Sequence, residues 1–553
     1  MRASRKINLV FAAVFLIVNA AIAFSQQAPK SPLTVAEATN YEATSRFADV
    51  IAFIRELQKQ SPLLRVETLC RSAEGRDVPL LVIGNPVPAS PSDLRGAKKM
   101  VIYIEANIHA GEVEGKEASL MLARDILQAT KPPYLDKFVL LVAPVFNADG
   151  NEKIAPNNRR QQPGPAQGVG IRTNGQNLDL NRDAIKAESY EVQGLLKNVL
   201  NRWDPFLLID CHTTDGAWHE PTVTYSWPLN PNGDTALLEF QRDKMLPEVE
   251  KIMESKYKTL GLPYGGFQDS RAPEKGWVTF DSQPRYVTNY IGVRNRMAIL
   301  DENYVHADFK ARVAGNYAFL AAILDYCAAH AEEIAKTMAD VDARTVARGL
   351  NPGPNNQFAV EFELKPLAKP VTILGFEMET FQREGSNFPQ MRPTDKKKTY
   401  VVPYFADFAP KRTVAFPAGY LISKPSSEVV EKLLQHGLLV ERLVEPAKLE
   451  VESFRAKEIK GAAQLYQGHR TNSVKGEYTK EQREFPAGTV FVTTAQPLAN
   501  VAAYLLEPES DDGLVVWNYF DKDLASGGFG GGPAGFPVCR LLKPAALVKE
   551  TVR

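Results

Sequence analysis

The sequence is short of several things, and each shortage excludes a class of function. It has no surplus of charge: 65 Lys and Arg stand against 65 Asp and Glu in 553 residues. Without a basic excess to meet phosphates, nucleic acid is not an expected partner. Cysteine is scarce: Cys70, Cys211, Cys327 and Cys539 lie far apart with no metal-ligand spacing. They read as buried free thiols rather than a disulfide framework. Beyond residue 23, long apolar runs are missing, so no membrane span is expected in the remaining chain. What is present is ordinary for a soluble globular protein, 44% apolar and 24% charged. The length exceeds what one hydrophobic core usually supports, so two domains are expected.

The N-terminus has the form of an export signal. Arg2, Arg5 and Lys6 precede a mostly apolar stretch, residues 8–23, that closes on Ala21-Ile-Ala23. Cleavage is expected after Ala23 or Ser25, and Gln26-Gln-Ala-Pro29 suits a mature N-terminus. No cysteine follows for a lipid anchor. The expected location is periplasmic or secreted.

The rest of the chain is organised around residues 101–112. Val101 to Ala106 is apolar and β-branched and reads as a strand, and it runs into His109-Ala-Gly-Glu112. From Val113 onward apolar residues recur at helical spacing. An imidazole and a carboxylate thus leave a strand end together, through small residues. Zinc takes such nitrogen and oxygen ligands. Alone the spacing is weak: 7 His and 65 acids in 553 residues give about one such pair by chance.

Other elements set it in context. Residues 39–60 read as an amphipathic helix. Strands are expected at 64–67 and 78–83 around the turn Ser72-Ala-Glu-Gly-Arg76, and at 137–144, 206–211 and 297–301. Helices are expected at 188–200 and 308–330. Residues 157–175 form a long polar loop, of a length that is often functional. Strands alternating with helices predict an α/β fold, a mixed, mostly parallel sheet covered by helices on both faces. Sites in such folds lie outside the carboxyl ends of the strands. His109, Glu112, His212 and Glu302 all follow predicted strands.

Asn351-Pro-Gly-Pro354 breaks the pattern. Residues 24–345 are expected to form one domain and 346–553 a β-rich accessory domain. The latter has strands near 357–364, 371–377, 419–422 and 489–493, a Ser-capped helix at 427–435 and a glycine-rich loop at 526–533. Trp517, Tyr519 and Phe520 are expected in its core.

From residue 41 to 326 the motifs, in order, resemble the zinc carboxypeptidases of the carboxypeptidase A type. Ser72-Ala-Glu-Gly-Arg76 is similar to that family's early turn, and His109-Ala-Gly-Glu112 to its HxxE pair. Asn147-Ala-Asp-Gly150 resembles its Asn-Pro-Asp-Gly turn, with Ala148 in place of proline. Asn177-Leu-Asp-Leu-Asn181-Arg182-Asp183 resembles its Asn-Arg segment, Asp210-Cys-His212 its third-ligand strand, and Leu300-Asp-Glu302 the strand bearing its glutamate. The resemblance implies a carboxypeptidase acting on peptides with one Zn2+ per chain, held by His109, Glu112 and His212. It implies Glu302 as general base, Arg159 (rather than Arg160) as oxyanion donor, and Asn181 and Arg182 as holders of the substrate carboxylate. The family's mobile tyrosine has no certain counterpart: Tyr286 and Tyr290 are candidates, with Phe280 near its sequence position. His219-Glu220 reads as a surface polar pair. Residues 26–40 are too few for an inhibitory pro-domain, so activity without processing beyond signal removal is expected. The alternatives are an amidohydrolase of the same fold, acting on acylated amino acids or cell-wall peptides, or an inactive binding protein.

Overall fold

The computed structural model describes residues 31–552 apart from 95, 98, 215–216, 383–388, 424 and 526–534. The expected export signal with its cleavage site, Asp215 and Gly216, and the glycine-rich stretch 526–533 lie outside the described residues.

An eight-stranded sheet forms the centre. Its strands are β1 (Leu64–Arg71), β2 (Asp77–Ile83), β3 (Met100–Ala106), β4 (Phe138–Ala143), β5 (Leu207–Thr213), β6 (Val223–Ser226), β7 (Gly261–Pro263) and β8 (Met297–Asn303). Their spatial order is β1-β2-β4-β3-β5-β8-β6-β7. The middle four, β4, β3, β5 and β8, run parallel. β1 and β2 pair antiparallel on one side, and β6 runs antiparallel to β8 on the other.

Alternation along each strand sorts side chains onto two faces. Ile102 and Ile104 of β3, Ile209 and Cys211 of β5 and Ile299 of β8 join one apolar cluster. Helices α1 (Phe47–Gln60), α2 (Glu114–Gln128) and α3 (Phe309–Ala329) cover it. Tyr103, Leu208 and Ala298 face the other way, beneath the helical segments 190–203 and Val287–Val293. Helix α1 begins at Phe47, not at residue 39 as expected. Asn40 and Tyr41 take positive φ of 51° and 65°, which breaks a helix, and Thr44 and Ser45 bond the buried Glu117 instead.

After helix Ala331–Leu350 the chain is mostly β. Strand Tyr404–Ala415 pairs with Gln357–Pro366 and, in parallel, with Trp277–Val278 of the first half. Val371–Gln382 and Pro389–Val402 form a separate hairpin. Seven further strands form a sheet in which Ala447–Gly461 and Asn472–Phe485 make a second long hairpin. The Ser-capped helix Ser427–Gln435 lies where it was expected, and Trp517 and Phe520 are buried. The second apolar cluster runs from Tyr103 and Leu208 into Tyr420, Leu433 and Tyr504 without a break. Among the described residues no helix is long and apolar enough to cross a membrane.

Candidate metal centre

The site sits at the carboxyl ends of β3, β5 and β8. Beyond β3 the chain turns at Asn107, whose φ is 66°. Glu112 N–H then donates to His109 O at 2.9 Å, closing the short turn that sets both side chains on one side. Gly111 is required there: a Cβ would lie 2.8 Å from Cδ of Arg159, which crosses at that point. Asn147 steadies the turn, donating through Nδ2 to Ile108 O at 3.3 Å and accepting from Gly150 N–H at 2.8 Å. Asp149 beside it accepts from Ser72 Oγ at 2.6 Å, Glu74 N–H at 2.9 Å and Arg76 Nη1 at 2.7 Å. Two motifs distant in sequence are therefore one clasp beneath the His109 turn.

β5 and β8 run one residue-pair further than expected, so His212 and Glu302 lie within them. Their parallel register pairs Glu302 with His212 directly.

His109, Glu112 and His212 are buried, and one ligand atom from each lies within 4.8 Å of the others. Nδ1 of both imidazoles faces Glu112, at 3.2 Å from His109 and 2.8 Å from His212. Their outer nitrogens meet acids. His109 Nε2 is 2.9 Å from Asp179 Oδ1. His212 Nε2 is 2.8 Å from Asp210 Oδ2, an ion-pair contact rather than an aligned hydrogen bond, and 3.3 Å from Asn181 Nδ2. Acids on the outer nitrogens orient imidazoles and make them better ligands. Arg159 donates to Glu112 Oε1 and to Thr213 O, both at 2.9 Å, whereas Arg160 is exposed.

The electrostatics follow from this crowding. Burial alone would raise Glu112, but His109 and Arg159 hold it well below the carboxylate range. Against burial, Asp210 and Glu112 hold His212 well above the usual imidazole value. Loss of water around Glu302 pushes it up to about 8, opposed by His212 and reinforced by Glu112. Glu302 Oε2 is buried without a hydrogen-bond partner.

The donor set suits zinc: two imidazole nitrogens and a carboxylate oxygen converge, with an unpartnered carboxylate oxygen beside them. Among the described residues this is the one such group. The family profile for zinc carboxypeptidase matches residues 50–215, which carry these ligands. Over these residues the chain is similar to the zinc carboxypeptidases. It is 21% identical over 488 residues to Carboxypeptidase 2 of Trichophyton rubrum, covering 84% of this chain and 82% of that protein. A metallo-carboxypeptidase from Burkholderia cenocepacia shares 20% identity, 51% of this chain and 69% of that one, with a TM-score of 0.38. Carboxypeptidase A from Helicoverpa armigera shares 16% identity, 59% of this chain and 82% of that one, with a TM-score of 0.37.

A cavity of about 150 Å³ opens onto His109, Glu112 and His212. Asn181, Arg182, Phe280, Tyr286 and Glu302 line it, together with Arg172, Tyr264 and Thr288, which sequence reasoning did not single out. The Arg182 guanidinium lies 4.2 Å from the centre of the Tyr286 ring. Asn181 Oδ1 accepts from Val287 N–H at 2.9 Å, so its carbonyl end is committed to the wall. Tyr290 is not in the cavity: it is buried, with its hydroxyl 2.6 Å from His436 Nδ1. His219 is not a surface residue either. It is buried against Tyr304, donates through Nδ1 to Pro221 O at 2.8 Å, and burial lowers it to about 4.

Asp179, Asp210 and Arg172 were also missed as site residues. Asp210 had a signal: two residues before His212 on a strand, it points to the same side. Asp179 had none, being 70 residues from His109. Arg172 arrives on the long loop, where Nε donates to Asp179 Oδ2 at 2.7 Å.

Proposed function

We propose that the protein is an exported zinc carboxypeptidase that removes single C-terminal residues from peptides. The reading rests above all on the two imidazoles turned inward on Glu112, each with an acid on its outer nitrogen, beside the unpartnered oxygen of Glu302. His109, Glu112 and His212 hold one zinc ion per chain. Bound zinc supplies a Lewis acid and brings the pKa of a water down to about 7. Glu302 accepts the proton of the attacking water at Oε2 and delivers it to the departing amine. Arg159, at the edge of the ligand set, donates to the negative charge that develops on the scissile carbonyl oxygen. Such a donor is worth about a hundredfold to a thousandfold in rate. Asn181 and Arg182 hold the terminal carboxylate, a guanidinium being suited to grip it with two N–H groups. A small cavity with an arginine in its wall takes a chain end rather than an internal segment. Residues 24–345 carry the chemistry and 346–553 form the accessory domain. The N-terminal charge and apolar pattern directs the chain out of the cytoplasm.

The test is mass spectrometry of a mixed peptide library incubated with the mature protein, with and without a zinc chelator. Chelator-sensitive loss of single C-terminal residues is expected. Cleavage restricted to N-acylated amino acids or cell-wall peptides would instead make it an amidohydrolase. No cleavage with zinc bound would make it a binding protein.

A further inference from the structure

The C-terminal half reaches the substrate wall through Asp512 and Trp517, which hold Arg285, and through the tip of one hairpin. The long hairpin of Ala447–Gly461 and Asn472–Phe485 ends in a turn, residues 462–471, that lies against the first half of the chain. Three side chains of this tip make the contact. Gln467 Oε1 accepts a hydrogen bond from the backbone N–H of Asp179 at 2.9 Å. The Tyr466 ring centre lies 5.3 Å from the guanidinium of Arg285. His469 Nε2 lies 2.9 Å from Glu188 Oε1.

The first two anchors flank the wall that lines the cavity. Asp179 caps the turn Leu180–Arg182, accepting from Asn181 N–H at 3.0 Å. Arg285 immediately precedes Tyr286, the ring against which Arg182 stacks. Ala184 N–H donates to Arg285 O at 3.2 Å, tying the two segments together. The tip therefore holds the wall on both sides of the Arg182–Tyr286 pair.

The backbone of the tip carries a second observation. Gln467 has φ of 50° and Gly468 has φ of 84°. Glycine takes this region freely, whereas a residue with a Cβ takes it at a cost. What glutamine adds over glycine at 467 is the amide that accepts from Asp179.

We infer that Gln467 is a positioning residue for the carboxylate-binding wall. By holding the Asp179–Arg182 turn it keeps Arg182 in place and so sets the affinity for the substrate's terminal carboxylate. It touches neither the metal ligands nor the cavity itself. The inference rests on the role proposed above for Arg182.

The experiment is steady-state kinetics of the zinc-loaded full chain on an N-acylated dipeptide with a free carboxylate, with zinc content and Tm measured alongside. Gln467→Gly removes the acceptor and relieves the backbone. It should raise KM about three- to tenfold, the factor set by one neutral hydrogen bond, while kcat, zinc content and Tm hold. Gln467→Glu keeps an acceptor and should restore KM to near the parent value. Arg182→Ala should raise KM further than either. An unchanged KM in Gln467→Gly, with KM raised in Arg182→Ala, overturns the inference and leaves Arg182 in its role. An unchanged KM in Arg182→Ala overturns that role and the inference with it. A lower Tm and kcat at constant KM in Gln467→Gly marks a merely structural contact and also overturns it.

Discussion

At the scale of single residues, the centre is a set of charges that make sense together and not separately. Glu112 faces two imidazoles and a guanidinium, and each imidazole has an acid behind it. Glu302 presents a buried carboxylate oxygen toward no partner beside the two imidazoles, whereas Asp210 sits behind His212 with Oδ2 in ion-pair contact with it. Replacing Glu302 with Gln should therefore lower hydrolysis by at least about a hundredfold and leave zinc bound. Activity assay and metal analysis check both halves, and loss of zinc would give Glu302 a different role. Replacing Asp179 with Asn weakens the support of His109. Zinc affinity should fall about ten- to a hundredfold, measured by competition with a chelator. The convergence of His109, Glu112 and His212 was legible in the sequence because each occurs at the end of an apolar run. The supporting shell was less so. Asp179 and Arg172 come from a polar loop with no periodicity, and only the fold decides which loop residues meet a strand end. His219 misled for the converse reason: a His-Glu pair after a glycine looks like surface, but Tyr304 and Pro221 close over the imidazole.

At the scale of elements, register does most of the positioning. Parallel pairing of β5 and β8 sets Glu302 beside His212, so a strand shift of one residue would turn one of them to the opposite face. Helix α2 sits tightly over β5 at Gly115, where an added Cβ would collide with Cβ of Cys211 and approach Ala106 within 3.2 Å. Gly115→Ala should thus destabilise the fold by about 1–3 kcal/mol through overpacking, despite alanine's better helix propensity. Denaturant unfolding checks this, and a stabilised variant would show that the helix can shift outward freely. The central strands were legible because both faces are buried and they read as continuous apolar runs. The start of α1 was not. The apolar face begins only at Phe47, and before it Thr44 and Ser45 are drawn to a buried glutamate, Glu117, 73 and 72 residues away.

At the scale of the whole molecule, the two halves share a core. Tyr103 and Leu208 of the central sheet lie in one cluster with Tyr420 and Tyr504, and Tyr404–Ala415 pairs with Trp277–Val278. The chain should accordingly unfold in one calorimetric transition, and a truncation at residue 345 should not yield a soluble monomer. Two separate transitions would show independent halves. The contact of Glu188 with His469 joins the halves electrostatically. Burial would raise Glu188, but His469 and Lys186 bring it down to about 2, and the hydrogen bond to Glu188 raises His469. A lowered acid contributes above its unfolded value of about 4.3 and loses the contribution as pH falls toward 2. A raised histidine contributes below about 6.5 and loses the contribution as pH climbs through its folded value. The stability difference between parent and Glu188→Gln should then peak near about pH 5.5 and shrink on both sides. A flat difference, measured by denaturant titration across this range, would remove the pair from the account. The bond from Asp179 to Gln467 spans 288 residues, and this has a consequence in time. Ribosomes add about 5–20 residues per second, so His109, Glu112, Asp179 and His212 all emerge well before Gln467. The bond that ties the Asp179 turn to the hairpin tip therefore forms only after much of the last third of the chain has been made.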